Sequence, residues 1–474
     1  MHRLAGQDAY FLYQETPSAL MHTLKISVCK PGASQPSEAD FRELVRRSMG
    51  CLPVFQYRVV PVPLGLHHPV VVNDGGFDYD MHVHRIAVPA PGARAQLDQV
   101  IGEIAAGLLE RSRPLWEIWV LEGLEGGRIA YVNKMHHVLA DGVAAVNYLG
   151  KTLYRDPTDI GTVGLSVFAR EEQPSAQRLV LDALRDLLRD FLRLPRLLQD
   201  SARRRRLIDA RNRVARLVPA APYSPDIPKL RFNRALSNLR NYATAQYSLA
   251  DFRTIKNRLG GTVNDVMLGM LAGGLRRYLQ TNAELPERPL VCAIPVSAEQ
   301  EAAATRTSGN NVAYFHMRLR TDIADPCRRY AATQEAMAAG KELLDLLGRN
   351  TFHSWACYIP PLLYTVIQRL KVHLRLAERG ARAMNLIVSN VPGPRYGSPL
   401  ADFEVEELYS GGPLMEGVGL NITAWSFRDQ LNFGLVACRR AVPDLPDLAG
   451  LLRQQHAILL DLARQARHAA PDTA

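Results

Sequence analysis

The stretch RIAYVNKMHHVLADGVAAVNYLG, residues 128–150, contains the pattern around which the rest of the chain is organised. Residues 128–135 are largely apolar and β-prone, which predicts a strand. A short segment with two histidines, an aspartate and a glycine follows at 136–142, and the apolar spacing of 143–149 then predicts a helix. A strand that ends in histidine, aspartate and glycine is typical of a functional site. The same pattern also fits a plain helix start, with the aspartate as cap and both histidines packed inside.

The length of the chain, 474 residues, exceeds what one ordinary hydrophobic core accommodates, so we expect two domains of similar size. Six cysteines are scattered without a CxxC pair, which argues against a disulfide framework or a zinc cage. The first ten residues lack a signal-peptide pattern, and no apolar run is long enough for a membrane span. These features predict a cytoplasmic protein.

The formal net charge of +10 is concentrated in one segment. Residues 178–216 contain twelve arginines against five acidic residues, and 176–194 have amphipathic helical periodicity. No aromatic RNA-binding platform or recognition-helix pattern accompanies the charge, so we expect no nucleic-acid partner. The segment is either a solvated linker helix packed on the body or an attachment to anionic lipid, where apolar burial and charge attraction add.

The order of predicted elements divides the chain into three parts. Residues 1–155 form an N-terminal α/β domain, 156–235 a basic amphipathic helical linker, and 236–474 a C-terminal α/β domain. In the first part, residues 54–61 are predicted to be a strand. In the last part, the apolar stretch 355–367 predicts a surface that faces either substrate or a lipid interface.

The segment 136–142 suits general-base chemistry. An alcohol is a poor nucleophile at neutral pH, so a base must take its proton as it attacks a carbonyl, and histidine suits this task. Gly142 would let a backbone or a flat ligand approach closely. Asp141 would hold the loop through a charge-assisted bond to an arginine. The GxSxG motif of serine hydrolases is absent, and the other histidine pairs lack a third ligand at defined spacing, so we expect no metal.

Five motifs in a fixed order carry a resemblance to a known family. They are PLWE (114–117), HHVLADG (136–142), TVNDVML (262–268), SNVPGP (389–394) and GLNIT (419–423), the last followed by LNFGL (431–435). The opening segment matches as well, through Leu4, Asp8, Phe11, Glu15, Met21 and His22. Together they resemble the bacterial wax ester synthase/diacylglycerol acyltransferase family, which belongs to the coenzyme A-dependent acyltransferases with the HHxxxDG motif. The resemblance spans nearly the whole chain.

The resemblance implies two chloramphenicol-acetyltransferase-like domains, each a mixed β-sheet with flanking helices, joined by the long helical linker and enclosing a tunnel. In that tunnel His137 would be the general base that activates the acceptor hydroxyl. His136 would shape the site, while Asp141 and Gly142 would be structural. No resident cofactor is implied: long-chain acyl-CoA would be a co-substrate, and diacylglycerol or a fatty alcohol the acceptor. Contact with the inner membrane or lipid droplets would be peripheral.

Two further residue pairs have roles that the sequence leaves open. Asn264 and Asp265 match the family's ND motif and would either cap a helix and hold the domain interface or take part directly. The tetrahedral oxyanion requires a hydrogen-bond donor, which Asn421 or Thr423 would supply.

The sequence leaves open which alcohol is the acyl acceptor and whether the protein is an enzyme of this class. Val71 and Cys438 stand where members of the family often carry tryptophan and an acidic residue, so the alcohol that is used stays open. A second hypothesis is an acyltransferase of the same fold that uses other donors or acceptors, such as a polyketide or peptidyl carrier. A third is a non-catalytic protein that coats lipid droplets through residues 176–216.

Overall fold

The computed structural model describes residues 1–31, 39, 41, 42, 45, 46, 52–75, 78–152, 170–299, 306–394 and 404–469. Within these residues the chain forms fourteen β-strands and twelve α-helices, so the predicted α/β class is confirmed. The predicted domain boundary at 155/156 lies outside the described residues.

The strands are β1 His2–Arg3, β2 His22–Cys29, β3 Tyr57–Val60, β4 Val70–Asn73, β5 Val83–Ala87, β6 Trp116–Glu122, β7 Ile129–His136, β8 Arg240–Ser248, β9 Val291–Ser297, β10 Val312–Arg318, β11 Leu386–Val391, β12 Val405–Gly411, β13 Leu420–Phe427 and β14 Gln430–Cys438. The helices are α1 Gly6–Gln14, α2 Tyr79–His82, α3 Arg94–Ala106, α4 Gly142–Thr152, α5 Ala176–Val214, α6 Leu249–Leu259, α7 Val263–Thr281, α8 Pro326–Leu347, α9 Thr351–Ala356, α10 Pro361–His373, α11 Leu376–Arg379 and α12 Leu445–Ala469.

The N-terminal lobe is built on a five-stranded sheet with the order β12-β2-β7-β6-β5. Strand β7, which the opening motif predicts, pairs antiparallel with β2 in a register that places His22 opposite His136. The edge strand β12 comes from the second half of the chain and pairs with β2, so it crosses between the lobes. The sequence pattern did not identify β12, because this strand is defined by pairing with a distant part of the chain. Ser410 of β12 stands opposite Lys25 of β2, and the two residues are 385 positions apart.

The C-terminal lobe contains a six-stranded mixed sheet with the order β10-β9-β11-β13-β14-β8. Strand β11 is parallel to both β9 and β13, while the other neighbouring pairs are antiparallel. Helix α7 packs on this sheet, and its residues Met267 and Leu271 share a buried cluster with Ile422. Leu97 and Ile101 of α3 belong to the same cluster, so the hydrophobic core is continuous across the two lobes.

The prediction of a strand over residues 54–61 is wrong at its beginning. Residues Pro53–Gln56 form a 3-10 turn, and β3 starts only at Tyr57. Proline has a fixed φ and no backbone N–H, so Pro53 favours the start of a turn over a ladder position.

The long helix α5 occupies much of the predicted linker and is 39 residues in length. Its start is capped by Ser175, whose hydroxyl accepts a hydrogen bond from the backbone N–H of Arg178. Two of its residues, Leu179 and Ala183, are buried against the body of the protein. Of the helices that the structure describes, α5 included, none combines the length and apolarity that a membrane crossing needs.

Candidate active site

His136 ends strand β7 and is fully buried. Its Nδ1 accepts a hydrogen bond from the backbone N–H of Val138 at 3.1 Å, so the ring proton resides on Nε2. That nitrogen lies 3.1 Å from Oε2 of Glu15, whose other carboxylate oxygen is 2.8 Å from Nη2 of Arg111. Burial opposes the ionisation of Glu15, but His136 and Arg111 outweigh it and hold the pKa of Glu15 well below its ordinary value. This geometry suits the shaping role that the resemblance implies for His136.

His137 is the first residue beyond β7, and its side chain is only partly buried. Its backbone N–H donates to the carbonyl oxygen of Met21 at 2.7 Å, and its ring stacks on Phe11 with centroids 4.1 Å apart. The ring nitrogen Nδ1 lies 2.8 Å from Oδ1 of Asn310. Over the ranges of the chain that the structure describes, Nε2 has no hydrogen-bond partner. This second nitrogen is therefore free to meet a substrate.

Asn310 is held in one amide orientation. Its Nδ2 donates to the backbone oxygen of His137 at 2.7 Å and to Oδ1 of Asp8 at 2.8 Å. Both of these neighbours are acceptors, so the hydrogen-bond network assigns Oδ1 of Asn310 to the side facing Nδ1 of His137. Nδ1 then carries the proton and Nε2 is the basic nitrogen. Burial raises the pKa of Asp8 to about 6, against the hydrogen bonds from Asn310 that lower it.

The charge state of His137 follows from its surroundings. Burial lowers the pKa of His137 to about 4, the Asp141 carboxylate and the Asn310 bond oppose this shift, and the Lys25 charge adds to it. At neutral pH the imidazole is therefore uncharged, which is the form that can accept a proton.

Asp141 fastens the motif loop to the other lobe. Its Oδ1 accepts the backbone N–H of Ala144 at 2.9 Å and caps α4. Its Oδ2 accepts from Nη2 of Arg306 at 2.6 Å and from the backbone N–H of Asn311 at 2.9 Å. The sequence analysis expected an arginine partner, and Arg306 from the second half of the chain supplies it. Asp141 thus serves as a helix cap and as a contact between the lobes.

Gly142 stands where two elements approach each other closely. A β-carbon at this position would lie 2.9 Å from Cγ2 of Val391, the last residue of β11, within the SNVPGP motif. The group that comes close is therefore a side chain of the other lobe, rather than the backbone or flat ligand that the sequence analysis expected. The absence of a side chain at 142 lets β11 approach the start of α4.

The ND motif divides its two residues between different contacts. Asp265 forms a capping box with Thr262: its Oδ2 accepts the backbone N–H and the hydroxyl of Thr262, both at 2.8 Å. Asn264 is partly exposed, and its Oδ1 accepts a hydrogen bond from Nδ2 of Asn390 at 3.1 Å. Of the two sequence alternatives, the helix cap is what Asp265 forms, while Asn264 joins the ND motif to the SNVPGP motif.

Asn421 and Thr423 lie on the same face of β13 and are both buried. The hydroxyl of Thr423 donates to Oδ1 of Asn421 at 3.0 Å, and Nδ2 of Asn421 donates to the carbonyl oxygen of Pro413 at 2.9 Å. The single proton of Thr423 is therefore already in use. Asn421 keeps one amide proton, and its role as oxyanion donor stays a prediction.

Sequence reasoning did not single out Asn310 or Arg306. Each lies far along the chain from its partner, 173 residues for Asn310 with His137 and 165 residues for Arg306 with Asp141. The local signal that accompanied them was a short polar run, residues 308–311, before a predicted strand. In the described part of the chain, no three His, Cys, Asp or Glu side chains are grouped so as to hold a metal ion.

The two α/β lobes and the oriented histidine between them define a two-lobed acyltransferase of the HHxxxDG type. The sequence matches the model of the wax ester synthase/diacylglycerol acyltransferase catalytic domain over residues 4–267 and that of the WS/DGAT C-terminal domain over residues 308–459. The chain belongs to the wax ester synthase/diacylglycerol acyltransferase family.

Similar sequences occur in Mycobacterium tuberculosis. A relative from strain H37Rv is 36% identical over 469 residues, which is 98% of this chain and 98% of the relative. A second from the same strain is 36% identical over 451 residues, covering 94% of this chain and 92% of the relative. The names of both propose diacylglycerol O-acyltransferase activity for those proteins.

Solved structures confirm the predicted two-domain fold. The wax ester synthase/diacylglycerol acyltransferase from Marinobacter aquaeolei VT8 superposes with a TM-score of 0.69 at 25% identity, covering 98% of this chain and all of that one. The first condensation domain of the calcium-dependent antibiotic synthetase, in complex with a substrate analogue, gives 0.61 at 16% identity over 99% of this chain and 98% of that one. The second similarity concerns the fold alone.

Proposed function

We propose that the protein moves a long-chain acyl group from acyl-CoA to the hydroxyl of diacylglycerol or of a long-chain alcohol, which makes triacylglycerol or wax ester. One observation carries this proposal: the hydrogen bond from Nδ1 of His137 to Asn310 leaves Nε2 as an unpaired base beside the junction of the lobes. The names of the mycobacterial relatives and of the Marinobacter structure support the same chemistry.

In the proposed reaction, Nε2 of His137 takes the hydroxyl proton as the acceptor oxygen attacks the thioester carbonyl. A new C–O bond forms, and the tetrahedral intermediate collapses with loss of the C–S bond. The departing thiolate of coenzyme A receives the proton from the imidazolium. The Asp141 carboxylate favours the charged ring through its field, and Oδ1 of Asn310 accepts a hydrogen bond from Nδ1–H throughout.

Peripheral contact with a lipid surface is part of the proposal, because α5 presents an unusual face to solvent. Most of its large apolar side chains face solvent, with Leu188 61% and Phe191 69% exposed, whereas Leu179 is buried. Two of its acidic residues point inward instead: Asp186 lies 2.6 Å from Arg3 and Asp190 lies 3.3 Å from His67. A solvated linker helix would present the opposite faces.

A second apolar helix continues this face. Leu363 of α10 is 57% exposed, and Leu64, in the turn that contacts both α5 and α10, is 81% exposed. We call the exposed apolar residues of α5, α10 and this turn the apolar surface. Helix α10 also contacts α1 through the rings of Tyr364 and Tyr10, and the next residue, Phe11, stacks on His137. Docking of the apolar surface on lipid would thus bring the active site close to its substrates. The arginines of α5 add attraction to anionic headgroups.

The chemistry is tested by thiol release from palmitoyl-CoA, with dioleoylglycerol and hexadecanol offered separately. Wild-type protein should release thiol only when an acceptor is present, and His137→Ala should lower the rate by about 10²- to 10⁴-fold, the range for loss of a general base. His84→Ala, on the edge strand β5, is a matched histidine control that should retain the rate. A rate of thiol release by His137→Ala that stays within about threefold of the wild-type rate would contradict the assignment of His137 as the general base.

Lipid contact is tested by flotation with vesicles of phosphatidylcholine and phosphatidylglycerol. The triple variant Leu188→Glu/Phe191→Glu/Leu192→Glu should lose binding because it removes apolar area and adds negative charge. The control Leu108→Glu changes a leucine that is 54% exposed outside the apolar surface and should bind as wild type does. Undiminished binding of the triple variant would exclude α5 as the contact.

A further inference from the structure

A group of buried polar side chains lies between the two sheets, where β12 crosses from one lobe to the other. It comprises Lys25 on β2, Asn133 on β7, Ser410 on β12, Trp425 on β13 and Asn432 on β14, and we call it the interlobe polar cluster. The surrounding residues of these strands belong to apolar core clusters. Polar groups in such surroundings are costly unless their hydrogen bonds are made.

Lys25 is the only cation of the cluster, and its side chain is 5% exposed. Its Nζ donates to Oγ of Ser410 at 2.8 Å and lies 5.0 Å from the ring centroid of Trp425. Within the described residues, no carboxylate is at ion-pair distance from Nζ. Burial lowers the pKa of Lys25 to about 7, and the distant field of Asp141 opposes the shift. The bond to Ser410 uses one Nζ proton, so the other Nζ protons have no hydrogen-bond partner in the described residues.

The neighbouring side chains also have unused hydrogen-bonding atoms. Asn133 stands directly opposite Lys25 in the strand register, and neither its Oδ1 nor its Nδ2 has a partner in the part of the chain that the structure describes. The same holds for Nε1 of Trp425 and for Oδ1 of Asn432, which are register neighbours on β13 and β14. Two rows of polar side chains thus face each other across the junction of the lobes.

The balance of these atoms indicates the chemistry of an occupant. The spare donors are the protons of Lys25, Asn133 and Trp425, and they outnumber the spare acceptors, which are the two asparagine oxygens. A complementary ligand must contribute more acceptors than donors. An ester group contributes two oxygens and no proton, and a diacylglycerol contains two esters and one hydroxyl.

We propose that the interlobe polar cluster is a subsite for the ester oxygens of a diacylglycerol acceptor, with Lys25 and Asn133 as the specificity-determining residues. This inference rests on the proposed function. Asn133 and His137 belong to one stretch of chain, with His136 between them at the end of β7, so the cluster lies along the strand that leads to the base. A long-chain alcohol has no ester oxygens and would leave the buried donors unsatisfied.

Asn133 and His137 are four residues apart, so about 13 Å of strand separates the cluster from the base. In the proposed complex, a diacylglycerol whose free hydroxyl meets Nε2 of His137 directs its ester groups along β7 toward Asn133 and Lys25, which stand opposite each other in the strand register.

The experiment compares acceptors in the Lys25→Met and Asn133→Leu variants, which keep side-chain volume and remove the polar atoms. We expect kcat/KM with dioctanoylglycerol to fall about 10-fold or more, as for loss of a hydrogen bond to a charged group. With hexadecanol, kcat/KM of Asn133→Leu should stay within about threefold of wild type, because Asn133 carries no charge that acts on His137 and no bond to the alcohol is lost. Lys341→Met, an exposed position on α8, is the matched control and should change neither value.

Equal losses with both acceptors, or no loss with dioctanoylglycerol, would overturn the subsite. If wild-type protein turns over neither acceptor, the proposed function fails, and the subsite is then tested by calorimetric titration with dioctanoylglycerol. Binding at least about 10-fold weaker to Lys25→Met than to wild type would support the subsite in that case. Equal affinity, or no binding to wild type, would overturn it.

Discussion

Oδ1 of Asn310 lies 2.8 Å from Nδ1 of His137 and determines which nitrogen of that ring is basic. The amide cannot turn over without placing its oxygen against two acceptors, the carboxylate of Asp8 and the backbone oxygen of His137. The orientation of the base thus depends on a residue of α1 and a residue before β10, which the fold brings together.

The first prediction concerns Asn310 as a positioning residue. Asn310→Ala removes the acceptor that stabilises the charged imidazole, an interaction worth about 1.5–3 kcal/mol, so kcat should fall about 10- to 100-fold. The KM for the alcohol substrate should change little, since Asn310 need not touch that substrate. Steady-state kinetics check this split. The adjacent Asn311→Ala is the control, because the Asn311 side chain donates to Glu299 at 3.4 Å and makes no hydrogen bond with His137 among the described residues. Wild-type kcat in Asn310→Ala would refute the positioning role.

The second prediction separates the two histidines by their effects on stability. His136→Ala removes the Nε2–H donor from the buried Glu15 carboxylate, so the free energy of unfolding should fall by about 1.5–3 kcal/mol, as for loss of a hydrogen bond to a charged group. His137→Ala should cost less, because that side chain is partly exposed. Urea unfolding followed by circular dichroism measures both. Equal stabilities of the two variants would show that the Glu15 contact contributes nothing specific.

The third prediction concerns the close approach of Gly142 to Val391. Gly142→Ala places a β-carbon 2.9 Å from Cγ2 of Val391 and should destabilise the protein by about 1–3 kcal/mol through overpacking. Val391→Ala removes the obstructing methyl groups, so the double variant should recover part of that loss. The quantity to measure is the interaction free energy of the double-mutant cycle. An interaction free energy near zero would show that contact with Val391 is not the reason why position 142 needs a glycine.

The fourth prediction is a pH profile. Because burial lowers the pKa of His137 to about 4, the neutral base is present above that pH and is lost only as the pH falls through about 4. The rate should therefore show no step near the ordinary histidine value. The charged groups that act on the ring are Asp141 and Lys25, and Asp8 reaches it through Asn310.

Asp8 needs a control, since its own pKa is raised to about 6 by burial. A small inflection there that disappears in Asp8→Asn belongs to Asp8. Burial lowers the pKa of Lys25 to about 7, so Lys25→Met is a second control. An inflection between pH 6 and 7 that persists in both Asp8→Asn and Lys25→Met would mean that His137 titrates at its ordinary value and that the neutral-base account is wrong.

Much of the fold could be predicted because its elements have local signatures. The apolar, β-prone composition of β7 and the cap at Asp141 depend on residues that are adjacent in the chain. Strand β12 could not be found in this way, because it is defined by its pairing with β2 in the other half of the chain. The prediction of a strand was wrong at Pro53–Gln56 because the apolar composition of this segment is typical of a strand. The proline at its start favours a turn instead, and the segment forms a 3-10 turn.

The sequence by itself determined the α/β class, the family motifs and the pair of histidines among which the base must lie. Only the tertiary structure decided which ring nitrogen of His137 is basic, which arginine holds Asp141, and that Lys25 is buried opposite Asn133. The physical reason is range. Periodicity and capping act over a few residues, whereas hydrogen-bond orientation and the burial of charge depend on side chains that meet only after the chain has folded.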